Sequence, residues 1–94
     1  MGCYVKMMKL NNLFNLYNKK YFKNKLIVEK LYIVPSLRYK HVWGWCIGRE
    51  IHISPAVFEV KGQLEKTLYH EMCHLIHPNH GKKFQELLRD WSLV

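Results

Sequence analysis

The sequence predicts a single α+β domain, and three features carry that reading. Its 94 residues are enough for one hydrophobic core and too few for two. Apolar residues make up 49% of the chain and aromatics 14%, well away from the polar, charge-rich composition that leaves segments disordered. The periodicities are segregated as helix, three strands, helix, helix, which favours a small, mostly antiparallel sheet with helices beside it.

The first helix is predicted over about residues 4–23, where Met7, Leu10, Phe14, Tyr17 and Tyr21 recur at intervals of three and four and asparagines and Lys19 fill the other side. Residues 26–34 turn β-branched and aromatic and end at Pro35-Ser36, which reads as a strand closed by a turn. Two further short strands are expected at 42–47 and 50–54, with Gly48 between them and Pro55 ending the second. A helix should follow Gly62 over about 63–77 and stop at Pro78, which cannot continue the hydrogen-bond ladder. A last helix, from residue 81 or 82 to about 91, places Phe84, Leu87, Leu88 and Trp91 on one side.

Charge and cysteine usage narrow the setting. A net charge of +8 favours acidic partners such as nucleic acid or an anionic surface without specifying one. Cys3, Cys46 and Cys73 are odd in number and irregularly spaced, unlike a secreted disulfide framework, so a reducing, cytoplasmic setting is expected. No apolar run approaches a membrane span or the core of a signal peptide, and Lys6 breaks the myristoylation pattern that Gly2 would begin.

The decisive segment is His70-Glu71-Met72-Cys73-His74. On a helix, positions four apart differ by roughly 40° on the wheel, so His70 and His74 project on one side, one turn apart, and can chelate one ion. Leu64, Leu68, Met72 and Leu75 fall on the opposite side, which gives the helix a core face and a metal face. Glu71 adjoins the histidines without being needed as a ligand. A metal that activates water and a carboxylate that takes its proton are together what peptide hydrolysis requires at neutral pH. A catalytic zinc site takes three protein ligands. His80 is the first candidate for the third, because Pro78-Asn79 redirects the chain; His77 and Glu86 are the competitors.

His70-Glu71-Met72-Cys73-His74, followed after five residues by His80-Gly81 and then Phe84, resembles the zinc site of the minigluzincins, and is also similar to that of SprT-like metallopeptidases. Upstream, Glu50-Ile51-His52-Ile53-Ser54-Pro55 is similar to a strand of the same families, so the resemblance covers about residues 48–90. It implies a zincin-like minimal domain with His70, His74 and His80 as zinc ligands and Glu71 as general base and acid. It also implies a latent zymogen whose C-terminal segment blocks the cleft.

Other features remain open at this level. The run from Tyr17 to Lys25 interleaves lysines with aromatics, either as a nucleic-acid patch or as the solvated end of a helix. Cys73 and Cys46 read as small buried hydrophobes, with a reactive thiol beside the metal as the alternative for Cys73, and Trp43 and Trp45, two apart on a strand, as core, with the cleft floor as their alternative. Arg38, Tyr39, His41 and His52 are candidates for stabilising an oxyanion. The leading function is a zinc-dependent metallopeptidase of the endopeptidase kind, acting on a peptide or protein, with a homodimer by exchange of the C-terminal helix as a further expectation. The alternative is a metal-stabilised basic module that binds nucleic acid or protein without hydrolysis.

Overall fold

The computed structural model describes residues 2–77 and 80–92, with the side chains of 2–4, 38–40 and 90–92 excepted. Helix α1 spans Gly2–Phe22 and buries Leu10, Phe14 and Tyr17 on one side. Two consecutive residues, Lys23 and Asn24, then take left-handed backbone conformations (φ 55° and 60°) and turn the chain. The buried Asn18 amide secures that turn: its Nδ2 donates to the Leu26 carbonyl and its Oδ1 accepts from the Leu26 N–H, each at 3.0 Å. Tyr17 and Phe22 are thus core residues while the lysines and Asn24 of this run are solvated, so two of the aromatics that would stack on bases in a nucleic-acid patch are unavailable.

Strands β1 (Lys30–Ile33), β2 (Gly44–Ile47) and β3 (Glu50–Ile53) form one sheet in the order β1-β3-β2. The α+β layout stands, and the sheet is mixed: β2 and β3 form an antiparallel hairpin, whereas β1 lies parallel to β3. Crossing from β1 to β2 consumes a 3-10 helix, Pro35–Lys40, and a second one, Pro55–Glu59, follows β3. Both open on a proline, whose fixed φ suits a first helical position and whose missing N–H costs nothing there.

Two helices complete the layer on one face of the sheet: α2, Gln63–His74, and α3, Lys82–Ser92. Ile51 and Ile53 of β3 are fully buried beneath them with Leu64, Leu68, Met72, Cys73 and Phe84. Residues alternate along a strand, so His52 points to the other face, where its ring lies between Tyr32 of β1 (4.9 Å between centroids) and Trp45 of β2 (6.1 Å). This corrects the expectation that Trp43 and Trp45 are core. The helices cover only one face and leave Trp45 half-buried on the other; Trp43, just ahead of β2, is 43% exposed.

Helix α2 ends at His74, three residues earlier than the proline suggested. Leu75 and Ile76 donate to the carbonyls of Met72 and Cys73, tightening the last turn, and His77 donates to Cys73. Pro78 and Asn79 lie outside the described residues. Among the described residues, no helix is long and apolar enough to cross a membrane.

Candidate metal centre and active site

Helix α2 divides into two faces as its periodicity dictates. Leu64, Leu68, Tyr69 and Met72 are buried in the core, while His70 and His74 project from the other side with ring centroids 4.9 Å apart. His80 arrives from the segment between α2 and α3, 5.5 Å from His70 and 4.6 Å from His74. One ring nitrogen from each can be chosen such that all three lie within 4.8 Å of one another. Neither His77 nor Glu86 joins this cluster among the described residues. His77 serves it through its backbone: the His74 Nδ1 lies 3.2 Å from the His77 carbonyl oxygen. In the tautomer that donates this bond, His74 presents the Nε2 lone pair to a metal.

The donor set suits zinc. Burial, followed by the neighbouring His74, His80 and Lys66, lowers the pKa of His70, which favours the neutral ring that a metal ligand must be. Three imidazoles leave room for a fourth position, the arrangement of catalytic rather than structural zinc. Beneath the rings lies Phe84 of α3, 1% exposed, stacked on His74 at 4.5 Å and edge-on to His70 and His80 at 5.1 and 4.8 Å.

Glu71 is 6% exposed, and burial raises its pKa to about 7. A carboxyl poised there exchanges a proton readily at neutral pH, as a general base requires. A cavity of about 280 Å³ lies between these residues and Gly44, Trp45 and Cys46 of β2. Gly44 makes the approach of strand and helix workable: a Cβ there would stand 2.8 Å from the His52 carbonyl oxygen and 3.2 Å from Cγ2 of Thr67. Cys46 is only partly buried; desolvation and then Glu71 push its thiol up to about 11, so it stays protonated, and its Sγ lies 3.7 Å from the Gly48 carbonyl. Cys73, in contrast, is fully buried in the core.

A second cavity, about 440 Å³, shares His70 and Glu71 as walls and extends toward His41, Trp43 and Lys66. Of the four oxyanion candidates, His41 reaches this space, His52 lies on the far face of the sheet, and the side chains of Arg38 and Tyr39 are outside the described residues. Sequence reasoning missed Lys66 and the contact of Phe84 with all three histidines. Lys66 sits four residues before His70, a spacing that already puts it on the metal side. An apolar groove of about 560 Å³ along α1, past Val5, Met8 and Leu16, is larger than either cavity but lies away from the histidines and Glu71.

The model of the SprT-like family matches residues 10–92, and the chain belongs to that family. Comparison with curated proteins and with solved structures gave no match.

Proposed function

We propose that this SprT-like family member is a zinc-dependent metallopeptidase that hydrolyses internal peptide bonds, with His70, His74 and His80 as ligands and Glu71 as general base and then acid. What carries this reading is the placement of Glu71, a carboxyl with a pKa of about 7 beside three clustered imidazoles and facing an accessible cavity. A site that only held a structural metal would have no use for it.

When bound there, zinc supplies Lewis acidity that makes water a nucleophile at neutral pH and polarises a carbonyl. Glu71 then accepts the proton of the attacking water and returns it to the leaving amine, a role its pKa near neutrality allows in both directions. The substrate is aligned by β2, an edge strand in the order β1-β3-β2, whose outer backbone groups can pair with an extended peptide. Phe84 and the His77 carbonyl hold the histidine rings in place.

The latent form implied by family resemblance has less support. Phe84 is buried in the core, Leu87 and Leu88 pack against it, and the Tyr69 hydroxyl donates to the Leu87 carbonyl at 2.6 Å. Phe84, Leu87 and Leu88 of α3 therefore have their partners within the chain, the Trp91 side chain lies outside the described residues, and no described residue of α3 lines either cavity at the site. Exchange of α3 in a dimer stays a proposal, decided by the mass in solution.

The test is cleavage of an unfolded protein substrate by zinc-loaded protein. Glu71→Gln should keep its zinc and lose roughly a hundred- to ten-thousandfold in rate. His80→Ala should lose zinc affinity by more than about a hundredfold, beyond the loss of a partner that merely orients a ligand, whereas His77→Ala should retain its metal because only its carbonyl is used. Equal activity of Glu71→Gln and the parent, or no cleavage by fully loaded protein together with tight, salt-sensitive nucleic-acid binding, refutes the peptidase reading.

A further inference from the structure

The larger cavity at the site, about 440 Å³, opens directly onto the metal centre, since His70 and Glu71 wall both spaces. Val42 and Trp43 bound it ahead of β2, and the first two turns of α2 bound it opposite. Its polar groups are unequal in charge. Lys66, one turn before His70, brings an exposed ammonium to the metal side of α2. His41 stands at the rim, held in the left-handed region (φ 55°, ψ 35°) where it caps the 3-10 helix Pro35–Lys40 through its own N–H to Leu37. Gln63 and Thr67 are engaged with each other, Nε2 donating to Oγ1 at 2.9 Å. Glu71 is the one carboxyl among the residues lining the cavity, and it lies where this cavity meets the smaller one at the metal centre.

A space with a cation, an imidazole and an exposed indole wall, whose single carboxyl sits where it meets the metal centre, selects for an anionic group on an otherwise apolar stem. We propose that this cavity is a subsite for a carboxylate carried by the substrate beside the scissile bond, held by Lys66 with His41 at its rim and Trp43 against its stem. The carboxylate is that of an acidic side chain at an internal bond or of the peptide's own C-terminus, in which case the bond cut is terminal and not internal. The inference rests on the peptidase reading for the position of the scissile bond, and on the cavity for everything else.

The experiment uses full-length, zinc-loaded Glu71→Gln, which binds without turning over, and labelled peptides from a randomised library. Glu-containing peptides are compared with their Gln counterparts, and free C-termini with amidated ones. We expect the carboxylate member of a pair to bind roughly two- to fivefold tighter, the effect of one solvent-exposed charge pair. The Glu/Gln and acid/amide arms tell which source is used. Adding Lys66→Glu should reverse the preference toward Lys and Arg, and Lys66→Gln, which introduces no new charge, should abolish it should the first variant not fold. Equal binding of carboxylate and amide peptides, or a preference that survives both substitutions, overturns the subsite. Cleavage by the parent protein separates this from the function itself. Hydrolysis without acidic preference removes the subsite alone, whereas binding preference without hydrolysis leaves the subsite and removes the peptidase.

Discussion

Tyr69 and His70 are neighbours on α2 with opposite surroundings. Tyr69 is completely buried, its ring among those of Tyr17, Tyr21 and Phe22 at 5.2–6.2 Å and its hydroxyl bonded to the Leu87 carbonyl. His70 turns to the cavity, with His74 and His80 as neighbours and a proton affinity lowered by its burial. The comparison separates what stabilises the domain from what the domain holds ready. One side of the helix gains from apolar burial and matched polar pairs. The other gathers three imidazoles and a buried carboxyl, groups whose desolvation costs free energy until a metal or a proton compensates it.

Phe84 is where the division can be broken most sharply, because it belongs to the core and touches all three histidines. Phe84→Ala is expected to cost about 3–5 kcal/mol of stability, as for a large buried aromatic, and to weaken zinc binding as well. Urea unfolding and metal titration on the same variant check both. A stability loss with unchanged zinc affinity would mean that the metal face needs no support from the core.

A smaller effect follows from Glu71 in the metal-free protein. Its folded-state pKa, about 7, lies above the ordinary 4.5, so the bound proton favours the folded state. That contribution is complete below about pH 4.5 and is lost as the pH rises through about 7, on the order of 3 kcal/mol in all. His70, with its lowered pKa, acts in the opposite sense, losing stability as the pH falls below its ordinary value of 6.5. The quantity to measure is therefore the difference in unfolding free energy between the parent and Glu71→Gln across this window, because His70 is common to both. A pH-independent difference would show that Glu71 is solvated.

The smallest expected change is on the core face. Tyr69→Phe removes one hydroxyl and leaves the Leu87 carbonyl without that donor, which should cost about 1 kcal/mol. Zinc affinity should not move. A variant with altered metal binding would show that the two faces are coupled through α3, the element that contacts both.

Much of this was legible in the chain. The three helices, the three strands, the two faces of α2 and the grouping of His70, His74 and His80 follow from periodicity and from spacing within a few turns, because both report on backbone geometry over short distances. The interruption between β1 and β2 was not read as a 3-10 helix, and α2 was read three residues too long, since the tightening of a last turn depends on bonds that a proline only hints at.

The sequence by itself determined that this protein has a core helix bearing paired histidines and a glutamate, since four-residue spacing on a helix leaves no other geometry. Tertiary structure decided the rest. The parallel pairing of β1 with β3 and the half-burial of Trp45 depend on how the strands assemble and which face of the sheet the helices cover. The seating of Phe84 under the histidines and the entry of Lys66 and His41 into one cavity depend on contacts between residues far apart in the chain. Such contacts leave no periodic trace, because they are selected by the packing of whole elements and not by the conformation of any one of them.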